Sequence, residues 1–364
     1  MNESAEPNPL NLDQGLVELT RDLVDRESVS GNEAALTSAI ESSLGQLPWL
    51  NVVRNGDAVV ASTNLGCAQR VILAGHLDTV PVADNLPSRL IHLEREQVIW
   101  GRGSVDMKAG VAVMLKLATE LSQPSHDLTW IFYDNEEVDS SKNGMGRIAA
   151  QQPELLKGDF AVLLEPTAGF IEGGCNGTLR AEIRVRGKKA HSARPWMGQN
   201  AIHSAAEVLN RLSEYEPRIV EVAGLEYRES MNAVRFEAGI ANNVIPDLAV
   251  VTVNHRFAPD RTEIEAAAEV ERLFAGFEVQ VVDSAPAAFP GLDMAIAEGL
   301  LSRVEYPPRA KHGWTDVARF SQLGIPAVNF GPGDPNLAHS DDENVPVGQI
   351  MSVYAALGAW LSAS

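Results

Sequence analysis

The sequence predicts an α/β protein in which a mostly parallel sheet is covered by helices on both faces and carries an inserted β-α-β-β-α-β domain. Apolar runs of strand length alternate with helically periodic segments before residue 177, and this alternation returns after residue 290. Between them, residues 178–187 (TLRAEIRVRG) alternate polar and apolar side chains, which is typical of a half-exposed antiparallel strand. We therefore predict a main domain at 1–176 and 291–364 and an inserted domain at 177–290.

The first part of the main domain begins with two helices, because apolar residues recur at helical spacing in GLVELTRDLVD and NEAALTSAIESSL. Strands and helices then alternate, as the crossovers of a parallel sheet require. In chain order the pattern predicts helices at 15–25 and 32–44, strands at 57–63 and 71–75, a buried helix at 105–121, and strands at 128–134 and 160–165.

The inserted domain has the pattern of a small open-faced sandwich, with two strand–helix–strand units in succession. After its opening strand the sequence predicts a helix at 200–212, strands at 233–238 and 249–257, a helix at 262–275 and a strand at 277–283. The main domain then resumes with a helix at 292–302, a strand at 326–330 and a helix at 346–362.

The composition argues against several classes of protein. A net charge of −20 disfavours nucleic acid and anionic membranes as partners. No apolar run reaches the roughly 20 residues that span a bilayer, and the polar, acidic N-terminus does not fit a secretory signal. The two cysteines form no C-x-x-C pair, which disfavours a disulfide framework or a thiolate zinc site. We expect a cytoplasmic protein.

Acids and histidines recur where the predicted strands end. In open α/β sheets the ligand crevice lies at the carboxyl ends of the strands, so these side chains should converge there. The residues are His76, Asp78, Asp106, Glu136, Glu137, Glu165 and His339.

Taken singly, each has a simpler interpretation: a hydrogen-bonded surface pair for His76 and Asp78, a helix N-cap for Asp106, and solvated loops for the glutamates. Taken together, clustered carboxylates and imidazoles would repel one another or stay unsatisfied without a cation. Imidazole and carboxylate ligands suit zinc or another divalent metal. The residues alone therefore predict a divalent metal site.

Five ordered motifs, GHLDTVP, GRGSVDMKAG, YDNEE, LLEPT and ANNVIPD, resemble those of the dinuclear zinc amidohydrolases. That family includes aminoacylases, carboxypeptidases, acetylornithine deacetylase and succinyl-diaminopimelate desuccinylase. Within it, GKKAHSARPWMGQNAIH is most similar to the desuccinylases. The resemblance implies a zinc-peptidase-like catalytic domain, two Zn²⁺ per subunit, for which Co²⁺ can substitute, and an inserted domain that acts as a lid and forms a homodimer.

The resemblance also implies the metal ligands. His76 and Glu165 are similar to the ligands of one zinc, and Glu137 and His339 to those of the other. Asp106 is similar to the carboxylate that bridges both ions, and the resemblance implies a cis peptide bond after it.

Three further residues are implied to act in catalysis. Asp78 is similar to the carboxylate that orients the imidazole of His76, and Glu136 to the general base. His191, in the inserted domain, is similar to the donor that stabilises the oxyanion.

Arg256, Asn243 and Thr315 stand where desuccinylases place groups that bind substrate carboxylates. The sequence departs from that pattern nearby: GWTDVARF, with Trp314 and Asp316, replaces a GTSDGRF-like stretch.

The resemblance implies hydrolysis of N-succinyl-LL-2,6-diaminopimelate to succinate and LL-2,6-diaminopimelate, in lysine and diaminopimelate biosynthesis. The implied substrate is thus a small N-acyl amino acid. The alternatives are an N-acetylornithine deacetylase, or a dipeptidase or carboxypeptidase of the same family. A non-catalytic binding relative is disfavoured, because every position of the implied metal site carries a suitable side chain.

Overall fold

The computed structural model describes residues 9–93 and 96–362, which form two compact units with separate hydrophobic cores. The larger unit comprises the N-terminal segment as far as Gly173, Gly291–Arg309, and the segment that starts at Arg319. The smaller unit comprises Gly174–Pro290 and Ala310–Ala318. It thus includes Ala310–Ala318, a segment that was predicted to belong to the main domain. The predicted roles of the two domains stay predictions.

An eight-stranded sheet forms the centre of the larger unit, and a three-stranded sheet accompanies it. The strands of the first are β1 (Asn51–Asn55), β2 (Ala58–Ser62), β3 (Arg70–His76), β6 (Asp127–Tyr133), β7 (Phe160–Leu163), β8 (Glu172–Gly173), β17 (Arg309–Ala310) and β18 (Ala327–Asn329). The second contains β4 (Arg89–Leu93), β5 (Glu96–Trp100) and β19 (Asn344–Pro346). The strand orders are β1-β2-β6-β3-β7-β18-β8-β17 and β19-β5-β4.

Helices flank the sheet, as predicted. They are α1 (Leu16–Asp25), α2 (Ala34–Leu44), α3 (Ala109–Glu120), α4 (Gly144–Gln151), α8 (Ala295–Leu301), α9 (Val317–Gln322) and α10 (Val347–Leu361). Every side chain of β6 is buried, which explains its continuous apolar sequence.

The α/β prediction is confirmed, with one refinement: the sheet is mixed. Its central strands β6, β3, β7 and β18 run parallel, whereas β1 and β2 join one side as antiparallel strands. Only Gly56 and Asp57 connect β1 to β2, and a connection this short can form only a hairpin. Gly56 has φ = 60°, a left-handed conformation that favours glycine.

The smaller unit contains an antiparallel four-stranded sheet with helices beside it. In chain order its elements are β9 (Gly177–Arg186), β10 (Ala190–His191), α5 (Ala201–Ser204), α6 (Ala206–Ser213), β11 (Ile219–Val222), β12 (Leu225–Arg228), β13 (Ser230–Ala238), β14 (Val244–Ile245), β15 (Leu248–Phe257), α7 (Glu263–Leu273) and β16 (Glu278–Ala285). The sheet order is β13-β15-β9-β16. The helix predicted at 200–212 forms as two successive helices, α5 and α6.

Burial alternates along β15, so one face of this sheet is covered and the other is half-exposed. Val251 on the covered face belongs to the same core as Ala266 and Val270 of α7. The period-two pattern of the sequence therefore indicates which face of the sheet the helices cover.

Candidate metal centre

The turn that carries Asp106 is fixed by a buried acid far away in the sequence. The carboxylate of Glu343 accepts hydrogen bonds from the main-chain N–H groups of Gly103 (3.0 Å), Val105 (2.9 Å) and Asp106 (3.1 Å). It also accepts one from the guanidinium of Arg102 at 2.9 Å. Burial raises the pKa of Glu343. These contacts hold the main chain that presents Asp106, and no local pattern in the sequence signals them.

Two further features shape this turn. Gly103 has φ = 78°, and a Cβ atom there would lie 2.6 Å from Cγ2 of Thr79, so only glycine fits. The peptide bond between Asp106 and Met107 is cis, which confirms that prediction.

Asp106 lies between two histidines. Its Oδ1 is 3.0 Å from Nε2 of His76, and its Oδ2 is 3.4 Å from Nε2 of His339. The same nitrogen of His339 lies 2.7 Å from Oε1 of Glu137. Ligand atoms of His76, Asp106 and Glu137 all lie within 4.8 Å of one another, so one metal ion could bind them together. Glu165 is close enough for its charge to act on the imidazole of His76.

The carboxylates raise the pKa of both imidazoles. Burial lowers the pKa of His76, but hydrogen bonds with Asp106 and Asp78 outweigh burial and hold it well above its usual range. Hydrogen bonds with Asp106 and Glu137 raise the pKa of His339 to about 10. Burial alone would raise the pKa of Asp106, but its hydrogen bonds with His339 and His76 lower it. Carboxylates that hold protons on two imidazoles this tightly also attract metal cations. Imidazole nitrogens and carboxylate oxygens are ligands that zinc uses.

Asp78 connects the cluster around Asp106 to Glu136 and Glu137, here called the acid pair. Its Oδ1 accepts the main-chain N–H of Glu136 at 3.0 Å, and its Oδ2 accepts that of Glu137 at 3.1 Å. The hydroxyl of Ser30 also donates to Oδ2, at 2.7 Å. Nδ1 of His76 lies 3.0 Å from the main-chain oxygen of Asp78 and 3.5 Å from its Oδ1. The carboxylate therefore fixes the main chain of the acid pair as well as lying beside the imidazole.

Sequence reasoning missed Ser30, Glu33 and Glu343, all of which support this site. Glu33 and Glu343 are fully or almost fully buried. Each of them accepts a hydrogen bond from a main-chain N–H group more than 100 residues away, of Asn135 for Glu33 and of Val105 for Glu343, so no motif spacing indicates them.

His191 and Asn243 of the smaller unit lie next to each other. Strand β10 pairs with β14, which sets His191 opposite Val244. The main-chain N–H of Ser192 donates to the carbonyl of Asn243 at 2.9 Å. The imidazole of His191 is exposed, and its Nδ1 accepts the N–H of Ala193 at 3.0 Å.

The other predicted substrate residues are less accessible. Arg256 is half-buried at the end of β15, and its Nε donates to Asn254 at 3.1 Å. Burial lowers the pKa of its guanidinium. Thr315 is buried, and its carbonyl lies 3.8 Å from the sulfur of Cys175. Burial raises the pKa of that thiol to about 11, which keeps it protonated.

Within residues 9–93 and 96–362, no helix combines the length and apolar character that crossing a bilayer requires.

Comparison with known proteins gives close, full-length relatives. A protein of Mycobacterium tuberculosis named "Putative succinyl-diaminopimelate desuccinylase DapE" is 52% identical over 348 residues, covering 95% of this chain and 97% of the relative. The succinyl-diaminopimelate desuccinylase of Corynebacterium glutamicum is 46% identical over 373 residues, covering 100% of both chains.

A solved structure supports the fold. The crystal structure of a tripeptidase from Staphylococcus aureus superposes with a TM-score of 0.79 at 20% identity, covering 97% of this chain and 98% of the other. The model of Peptidase family M20/M25/M40 matches residues 72–363. Since that match covers most of the sequence, the chain belongs to Peptidase family M20/M25/M40.

Proposed function

We propose that this protein is a metal-dependent amide hydrolase that cleaves N-succinyl-LL-2,6-diaminopimelate to succinate and LL-2,6-diaminopimelate. The observation that carries the proposal is the near full-length similarity to two proteins named succinyl-diaminopimelate desuccinylase. The cluster around Asp106 supports it, because it offers imidazole and carboxylate ligands of the kind that such hydrolysis requires.

The proposed cofactor is a pair of Zn²⁺ ions, for which Co²⁺ can substitute. His76 and Glu165 would hold one ion, Glu137 and His339 the other, and Asp106 both. The position of Asp106 between the two imidazoles supports this assignment. When bound, such ions supply Lewis acidity, which lowers the pKa of water and polarises an amide carbonyl.

In the proposed mechanism Glu136 takes a proton from the attacking water and returns it to the leaving amine. Its main chain is held by Asp78, which supports a fixed direction for the base. His191 donates a hydrogen bond to the developing oxyanion. Because Nδ1 of His191 accepts the N–H of Ala193, the neutral imidazole carries its proton on Nε2, which is then available as the donor.

Arg256 is our candidate for binding a substrate carboxylate, with Asn243 and Thr315 as further contacts. In the described part of the chain no carboxylate lies within ion-pair distance of Arg256, whose polar partner is the amide of Asn254. A half-buried guanidinium without an anionic partner can bind a carboxylate by donating two parallel hydrogen bonds to it. This is the chemistry that a succinyl group requires.

We further propose a cytoplasmic homodimer formed through the smaller unit. Strand β13 lies at an edge of its sheet and exposes Val234 (59%) and Phe236 (42%), with Ile240 (68%) just beyond it. An exposed apolar edge strand is typical of a surface that pairs with another chain.

The decisive experiment compares two substrates with the zinc-loaded protein. We expect a kcat/KM for N-succinyl-LL-2,6-diaminopimelate far above that for N-acetylornithine; the reverse preference would overturn the substrate assignment and leave the metal centre intact. Arg256→Met should raise KM for the succinyl substrate by about 10²-fold, as expected when a charged contact is lost. Arg272→Met, at an exposed arginine of α7, is the matched control and should change little.

A further inference from the structure

Glu33 is a fully buried acid that the proposed mechanism does not use. Its Oε1 accepts hydrogen bonds from the main-chain N–H groups of Gly31 at 2.9 Å and Asn135 at 3.2 Å. Asn135 directly precedes Glu136 and Glu137 and has φ = 58°, in the left-handed region. Glu33 therefore binds the main chain where it turns to present the acid pair.

Three successive N–H groups of this turn donate to buried carboxylates. The N–H of Asn135 donates to Glu33, and those of Glu136 and Glu137 donate to the two oxygens of Asp78. The main-chain path fixes the direction of each Cα–Cβ bond. Fixing all three N–H groups therefore fixes the directions in which the two glutamate side chains leave the turn.

The segment around Glu33 also holds the second carboxylate. The hydroxyl of Ser30 donates to Asp78 at 2.7 Å, and the N–H of Ser30 donates to the carbonyl of Thr79 at 3.1 Å. Gly31, the next residue, donates to Glu33. Residues 30–33 thus join Asp78 and Glu33 into one support for the acid pair.

We propose that Glu33 is a positioning residue for the acid pair: its carboxylate oxygen holds Asn135 so that Glu136 faces the attacking water and Glu137 the metal. The inference rests on the roles proposed above for Glu136 and Glu137. The effect of Glu33 depends on where its carboxylate oxygen lies and not on the charge of the carboxyl group.

Two substitutions at Glu33 separate position from charge. Glu33→Gln keeps an acceptor oxygen at the same reach but removes the charge. Glu33→Asp keeps the charge but withdraws the oxygen by one methylene, beyond reach of the N–H of Asn135. Thr37→Val is the matched control, because among the described residues the hydroxyl of buried Thr37 in α2 donates only to the carbonyls of Glu33 and Asp57.

We expect Glu33→Asp to lower kcat by about 10- to 100-fold with little change in KM, since small misplacements of a catalytic group have effects of that size. Its Co²⁺-loaded form should show an altered visible absorption spectrum, because Glu137 is displaced. Glu33→Gln should keep the wild-type kcat and cobalt spectrum. Thr37→Val should lower only the unfolding temperature.

A Gln variant as impaired as the Asp variant, or an Asp variant with wild-type kcat and spectrum, would overturn the positioning role. Should the Asp variant not fold, Glu33→Met, which keeps a side chain of similar length but has no acceptor oxygen, takes its place and should lower kcat and alter the cobalt spectrum in the same way. If the wild-type protein does not hydrolyse the succinyl substrate, the proposed function fails. The cobalt spectra then still test whether Glu33 positions Glu137.

Discussion

The carboxylate of Asp78 accepts the main-chain N–H of Glu136 at 3.0 Å, so the residue beside His76 also holds the turn that carries the proposed base. One acid thereby links the ends of two neighbouring parallel strands, β3 and β6. The candidate metal ligands and the proposed base are consequently parts of one hydrogen-bonded structure.

Asp78→Ala should weaken both stability and metal binding. The change leaves the partly buried N–H groups of Glu136 and Glu137 and the hydroxyl of Ser30 without their acceptor. We expect a loss of about 1–3 kcal/mol in the unfolding free energy of the metal-free protein and about 10- to 100-fold in zinc affinity. Urea unfolding and calorimetric titration with zinc measure the two effects. Wild-type zinc affinity in the variant would contradict a role of Asp78 in metal binding.

Glu136→Gln should keep the metal content of the wild-type protein and lose about 10²–10⁴-fold in kcat, since it removes the general base alone. Metal analysis of the purified variant, next to its steady-state kinetics, is the measurement. If zinc is lost together with activity, Glu136 is a ligand and the roles of Glu136 and Glu137 are reversed.

Glu343→Gln should destabilise the fold strongly. An amide nitrogen would replace the oxygen that accepts from Gly103 and Arg102, which leaves a buried guanidinium without its counter-charge. Breaking a buried ion pair in this way costs about 3–5 kcal/mol. Chemical unfolding of the metal-free wild type and variant measures this loss in unfolding free energy. Asp342→Asn, at the exposed neighbour, is the control and should be close to neutral.

His339 should make the stability of the metal-free protein depend on pH. Its pKa is raised to about 10 in the folded protein, so the folded state holds this proton more tightly than the unfolded state does. The stabilisation is fully present below the ordinary histidine pKa of about 6.5 and is lost as pH rises towards 10. The difference in unfolding free energy between wild type and His339→Gln should shrink over that window. A difference that stays constant across the window would contradict the raised pKa of His339.

Phe236→Asp should convert the proposed dimer to a monomer, because it puts a charge on the exposed face of edge strand β13. Light scattering during size-exclusion chromatography gives the mass directly. Ile264→Asp alters a side chain of α7 that is 82% exposed and should leave the mass unchanged. A Phe236→Asp protein that stays dimeric would place the interface elsewhere.

The sequence could predict the elements that have a clear apolar period and the site residues that directly follow a strand. Helix α1 and strand β15 follow their apolar patterns closely, and His76 and Glu137 lie near each other because their strands are parallel neighbours. Glu343 could not be predicted, because its partners, main-chain N–H groups and the guanidinium of Arg102, lie more than 200 residues away and any acid in a polar loop looks the same. The short strands β10 and β14 escaped detection, since two residues carry no periodicity.

The contact between Glu137 and His339 spans 202 residues, and the smaller unit is encoded between them. During synthesis, domains tend to fold in the order in which they emerge from the ribosome. The nascent chain therefore presents His76, Asp106 and Glu137 long before His339 exists. A metal ion met at that stage would find only part of the proposed ligand set, so secure loading would wait until His339 has been synthesised. Ribosome-bound chains halted before residue 339 should accordingly release zinc to a chelator that the finished protein resists.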